Sequence, residues 1–222
     1  MAVTISGSTG VSGVDGSATA PATTGTDSNS GIFYAADAIK FSTGGTERIA
    51  LTNSAYPRIL QVQNTTTTAT GSVSLSTGSQ YYDITNLNVS ITPSASTSKI
   101  LLSFHAFGES STSEYLSSFQ VTRAISGGAT TEITAPAAGS RLRTLTMLPE
   151  TYYGGDHSST PSVGQVSNYL DSPSTTSAIT YTVQVRSRTA SQTWFYNRTD
   201  SDSDTDDNER GVSWITVMEV AA

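Results

Sequence analysis

The chain of 222 residues has no cysteine, so neither a disulfide framework nor a thiolate metal site is open to it. Charge is scarce, with Asp, Glu, Lys and Arg together at 13%, and there are two histidines. No window approaches the ~18 consecutive apolar residues of a membrane-spanning helix. No stretch keeps apolar residues at i, i+3, i+4 and i+7 for three turns, so amphipathic helices are not expected. Lys and Arg form no basic stripe, which excludes the electrostatic footprint of nucleic-acid binding. The opening MAVTISGSTG has no basic or apolar signal region, and export by a cleaved secretory signal is not expected.

What the chain has in abundance is hydroxyls: 36 serines and 36 threonines. Thr favours strands and Ser favours turns, so this composition specifies an all-β protein coated with hydroxyls rather than charges. The net charge is −7. Six of the 18 acids lie in the decamer DSDSDTDDNE, residues 200 to 209, and the other 12 face 11 Lys and Arg. The protein is thus nearly neutral with one acidic spot.

Two regions differ in pattern. Residues 1–55 open with TISGSTGVSGVDGSATAPATTGTDSNSG, whose apolar content is too low to bury a core. It reads either as a flexible arm or as a segment that orders only against copies of itself or a docking partner. Then come IFYAADAIKF and ERIALTN, two strand-like runs separated by a Gly44-Gly45 hairpin signal. This element, 32 to 52, is too small to be stable as a lone hairpin and points to oligomerisation.

Residues 56–222 carry about eight or nine short strand signals bounded by turns. RILQVQN (58 to 64) is the first, followed by a hydroxyl-rich connection, TTTTATGSVSLSTG. In QYYDITNLNVSITP, residues Tyr82, Ile84, Leu87, Val89 and Ile91 mark one face across a bulge at Asn86. KILLSFHAFGE (99 to 109) reads as a strand buried on both faces. SSFQVTRAI and ISGGATTEI form a hairpin at Gly127-Gly128, and RLRTLTML (141 to 148) alternates as a strand. AITYTVQVRSR alternates most clearly; WFYNR and SWITVMEV are the last strands, with Trp194 and Trp214 as core residues. Antiparallel order is expected because no crossover helices separate the strands. Eight such strands in two sheets describe a jelly roll.

Catalytic chemistry finds little to use. There is no G-x-S-x-G, G-x-x-x-x-G-K or H-E-x-x-H. His105 sits mid-strand and reads as structural; for the paired carboxylates of glycoside hydrolysis the candidates are Glu109, Glu114, Glu132 and Glu150, with no motif to single out two of them. The chain is read as a non-enzyme without a cofactor. For binding, ETYYGGDHSSTP places Tyr152 and Tyr153 beside Asp156 and His157 on a polar loop, a set suited to stacking on and hydrogen-bonding a glycan. The alternative is that these tyrosines are interfacial or partly buried. The acidic decamer fails the calcium-loop pattern, which wants Gly at the sixth position and Glu at the twelfth; counting from Asp200 those are Thr205 and Gly211. It reads as a solvated connection bracketed by Arg198 and Arg210, with Asp202, Asp204 and Asp206 as the remaining metal candidates.

Two sets of segments carry a resemblance. Residues 4 to 54, with GVDGSATAPATTGTDSNSGIFYAADAIKFSTGGTERIAL, resemble the N-terminal segment of tail-fibre and other virion proteins of marine and freshwater tailed phages of cyanophage type. ITPSASTSKILLSFHAFG, GSRLRT, NYLDSPSTTSAITYTVQV and WFYNRT…SWITVMEV resemble the C-terminal domains of such proteins. The resemblance implies a homotrimeric structural protein on the virion surface, assembled in the host cytoplasm, with residues 1–55 as an attachment segment and residues 56–222 as an exposed β head. Val3, Ile5, Val11, Ile32 and Phe33 would anchor it on neighbouring copies and on other tail or capsid proteins, and a host surface glycan is the implied receptor. The two parts join directly near Tyr56-Pro57, without a shaft. A stubby fibre or a capsid decoration protein therefore fits. A separate carbohydrate-binding module is the reading from another class.

Overall fold

The computed structural model of the chain describes residues 4–6, 10–12, 15–52, 58–111, 117–148 and 160–221. Regular structure among them is entirely strand, paired antiparallel. Contacts divide the chain into two units, Met1–Tyr56 and Pro57–Ala222.

In the first unit β1 (Thr4–Ser6) pairs with β2 (Gly10–Ser12). A four-stranded sheet follows in the order β3 (Thr23–Thr24), β4 (Gly31–Ala35), β5 (Ala38–Thr43) and β6 (Thr46–Thr52). The β5–β6 turn holds Gly44 and Gly45 at φ 58° and 74°, the left-handed pair that a two-residue hairpin demands. In the described part of the Gly/Ser/Thr-rich stretch directly ahead of β4, from residue 15 on, side chains bond the backbone. Asp27 accepts hydrogen bonds from the Asn29 N–H at 3.2 Å and from Ser30 Oγ at 2.6 Å. Ser30 Oγ in turn accepts from the Gly44 N–H at 3.0 Å, and the Gly45 N–H donates to the Asn29 carbonyl at 2.8 Å. Side chains that bond their own backbone let so apolar-poor a segment take a fixed path.

The second unit is an antiparallel β-sandwich with eleven strands among the described residues. They are β7 (Ile59–Thr67), β8 (Gly71–Leu75), β9 (Tyr82–Ile91), β10 (Lys99–Ser110), β11 (Ser118–Ile125), β12 (Thr130–Ile133), β13 (Thr146–Met147), β14 (Ser162–Asp171), β15 (Ile179–Arg186), β16 (Gln192–Tyr196) and β17 (Ser213–Val220). The first sheet runs β14–β10–β17–β7; β16 and then β8 continue it beside the last residues of β10. The second runs β12–β11–β15–β9, with β13 beside the start of β11.

Alternation dictates the core. Ile100, Leu102 and Phe104 from β10, Ile215 and Val217 from β17, and Trp194 from β16 meet Phe119 and Val121 from β11, Tyr181, Val183 and Val185 from β15, and Ile84, Leu87 and Val89 from β9. Phe119 sits edge-on to Trp194 with centroids 5.5 Å apart, a preferred aromatic geometry. The bulge in β9 is where the sequence puts it. Asn86 takes φ 62°, and the register against β15 shifts between Thr182 and Gln184, so Ile84 and Leu87 both face inward. Burial of Arg123 is balanced by Asp171, which accepts from its guanidinium at 2.6 Å and from the Tyr181 hydroxyl at 2.8 Å. Desolvation, then the Asp171 charge, pushes the Tyr181 hydroxyl well above the ordinary range, so it stays protonated and donates.

Several expectations are revised. The hydroxyl-rich connection after β7 contains β8, whose Val73 and Leu75 are buried. Only Thr146–Met147 of the run 141 to 148 is strand. β14 is a ten-residue strand that alternation does not announce, because a bulge with Asn168 at φ 61° breaks its period and Gly164 replaces an inward side chain where the Phe119 ring lies. β10 is buried on one face, not two: its other face, with Leu101, His105 and Phe107, is half-covered. Trp214 lies on that same outer face, stacked on His105 at 5.9 Å and 7°, whereas Trp194 is in the core.

Candidate functional surfaces

The acidic decamer is a self-contained loop between β16 and β17. Asp202, at φ 51°, receives Arg210 at 2.7 Å and Arg198 at 3.8 Å. Arg198 also donates to the carbonyls of Thr199 and Asp200 and lies 4.2 Å from the Phe195 ring centroid. Asn208 is the hub: its Oδ1 accepts from the Thr199 and Ser201 hydroxyls, and its Nδ2 donates to Thr205 Oγ1 at 2.6 Å. Two arginines and an asparagine hold this backbone. Asp204 and Asp206 point to solvent. Among the described residues no group of three or more His, Asp or Glu could hold a metal ion.

Tyr152, Tyr153, Asp156 and His157 lie outside the described residues. The described residue that follows them, Thr160, donates its N–H to Glu109 Oε1 at 2.9 Å. Asp200, which opens the acidic decamer, donates its N–H to the other oxygen, Oε2, at 2.8 Å. One buried carboxylate at the end of β10 thus holds the backbone at both Thr160 and Asp200. Glu109 is a structural clamp; Glu132, the other described acid of the glycosidase candidates, is exposed and 3.7 Å from Arg143.

Of the anchor candidates, Val3 is outside the described residues, and Ile5 and Val11 lie on β1 and β2. Ile32 and Phe33 are neighbours on β4 and so face opposite ways. Phe33 is buried, with the Lys40 ammonium 5.8 Å from its ring centroid. Ile32 belongs to an open apolar face. Register aligns it with Phe41 and Ile49, and aligns Tyr34 with Ile39 and Leu51. Four of these six are large exposed apolar residues: Tyr34, Ile39, Ile49 and Leu51, the last two at 56% and 58%. Period-two spacing in IFYAADAIKFSTGGTERIAL is the signal that finds them.

The outer face of the sandwich's second sheet is polar across β9 and β15, with Met147 of β13 an exposed apolar exception at its edge. Ser90 and Thr180 share a hydrogen bond at 2.8 Å, and an amide ladder runs from Gln120 to Gln184 at 2.7 Å and from Gln184 to Asp83 at 2.7 Å. At one end of the first sheet Glu219 is fully buried. It accepts from Gln61 Nε2 at 2.6 Å and from the N–H and hydroxyl of Ser94, each at 2.7 Å. Burial alone would raise its pKa; hydrogen bonds from the Ser94 hydroxyl, Gln61, Ser98 and the Ser94 N–H overcome that and lower it to about 2. No known protein-family model matches the chain, and no curated protein matches it.

Proposed function

We propose that this chain is a structural virion protein of a tailed bacteriophage. In this reading it is a short homotrimeric fibre, with residues 1–55 attached to the particle and the β head exposed for host-surface attachment. The observation that carries it is the open face of β4, β5 and β6. Six aligned apolar side chains of β4, β5 and β6 lie on one side of a four-stranded sheet whose sole described buried apolar residue, Phe33, is on the other side. Such a unit buries too little to stand alone and needs a surface to close it. The sandwich supplies an outward-facing, hydroxyl-rich sheet suited to display. Its strand orders, β14–β10–β17–β7 over β12–β11–β15–β9, support reading it as a jelly roll, since each sheet interleaves strands from both halves of the chain. The resemblance to virion proteins supplies the particle.

A capsid decoration protein is the second reading. The short spacing between Thr52, which ends β6, and Ile59, which starts β7, favours it, because a host-reaching fibre needs a shaft there. Gold-labelled antibody raised against the full chain, applied to purified particles of the encoding phage, is expected to decorate the tail. Decoration of the capsid selects the second reading. Particles that carry no label, with the protein free in the lysate, contradict both and favour a free-standing carbohydrate-binding module.

A further inference from the structure

The outer face of β14–β10–β17–β7 is unlike that of the opposite sheet. Pairing aligns Val62, Met218, Leu101 and Leu170 in one row across all four strands. The next row towards the chain end of β17 adds Ile59 and Val220. Ile59, Val62 and Leu170 are 59%, 50% and 54% exposed. The opposite sheet presents Ser90, Thr180, Gln184 and Asp83 at its outer surface. The outer face of the first sheet is thus apolar over these two rows, beside a polar row of Asn64, Thr216 and Ser103, and solvent alone does not account for the apolar part.

We infer that this apolar face is where a second copy of the chain docks. The inference rests on the homo-oligomeric reading above and locates its contact in the head. Two observations select a like copy as the occupant. The first is charge. The outward-facing residues of these four strands hold two formal charges, Lys99 at one end of β10 and Glu109 at the other, where it is buried on the N–H groups of Thr160 and Asp200. The six acids of the decamer, which would repel a copy, lie beyond the other end of β17: they precede Ser213, about 17 Å from Met218 at ~3.3 Å per residue. An acidic chain thus keeps one face that another copy can approach without repulsion. The second is size. At ~4.8 Å per strand and ~3.3 Å per residue, four strands by about eight residues give a footprint near 500 Å². Projecting side chains raise its accessible area towards the ~800 Å² that each partner contributes to a stable interface. The stacked pair of His105 and Trp214, two rows from Leu101, supplies the flat aromatic element that such contacts favour.

The test uses the full chain. Sedimentation of wild type, Val62→Lys and Leu170→Lys is compared over a concentration series, with circular dichroism and melting to verify folding. Both residues are half-exposed on edge strands, so the sandwich is expected to survive. Each variant is expected to weaken association about tenfold or more, because an unpaired charge is buried at the contact. A wild-type chain that is monomeric throughout overturns the homo-oligomeric reading itself. An oligomeric wild type whose two folded variants associate as tightly overturns this inference and leaves that reading standing. Because the chain has no cysteine, Leu170→Cys provides a second readout. Its maleimide labelling should slow about tenfold or more in the oligomer relative to Asp204→Cys on the acidic loop, as a buried thiol's does. Equal rates count against the face.

Discussion

Lowering the pH should weaken the sandwich through Glu219, and the size and window of the effect follow from its surroundings. This carboxylate is fully buried, yet three hydrogen bonds from Ser94 and Gln61 hold it ionised. A carboxyl that ordinarily titrates at 4.5 and here at about 2 contributes about 3 kcal/mol, at ~1.36 kcal/mol per pH unit. The folded pKa is depressed, so the unfolded chain binds the extra proton. The contribution is therefore complete above about pH 5, falls as pH drops through 4.5, and is gone near pH 2. Glu219→Gln should be less stable than wild type at pH 7 by about 1 to 3 kcal/mol. An amide there keeps an acceptor for Ser94 but turns an NH₂ towards Gln61 Nε2, which is committed to the Thr92 carbonyl at 2.7 Å. Urea unfolding of both proteins between pH 7 and pH 2.5 checks this. The gap between them should close as the pH falls. A gap independent of pH would refute the reasoning, because the penalty would then come from shape rather than from charge.

Asn197 joins three segments: it donates to the carbonyls of Thr67 and Ala69 and accepts from the Ser213 hydroxyl at 2.6 Å, with its backbone at φ 59°. Asn197→Ala should cost about 2 to 4 kcal/mol, since it removes the donor to the buried Thr67 carbonyl and the half-buried Ala69 carbonyl and puts alanine in a left-handed backbone position; a loss under 1 kcal/mol in urea unfolding counts against that role. The acidic decamer is held by Arg198, Arg210 and Asn208, so the melting temperature should be the same with and without a chelator. A drop that calcium restores would return Asp202, Asp204 and Asp206 to the role of ligands.

Much of the sandwich is legible in the sequence because its strands obey period two. The displaced alternation of Ile84 and Leu87 even locates the bulge at Asn86. Gly44-Gly45 marks its hairpin because only glycine takes two left-handed positions readily. β14 is hidden for the converse reason: its bulge and Gly164 erase the period, and at Gly164 the Phe119 ring takes the place of an inward side chain. β10 misleads because its outer residues are as apolar as its inner ones. Composition cannot distinguish a strand buried by its own chain from one whose second face is left for another molecule. That ambiguity also put Trp214 in the core. At the candidate anchor, alternation separates Ile32 from Phe33 and assigns them to different faces. Glu109 is invisible in sequence, since its role depends on Thr160 and Asp200 arriving from distant parts of the chain.

The account turns on open apolar faces being closed by other copies. The mass of the full chain at micromolar concentration, by light scattering, tests it most directly. Three times the 23.2 kDa of one chain is the expected result; a lone 23.2 kDa species at every concentration would contradict it.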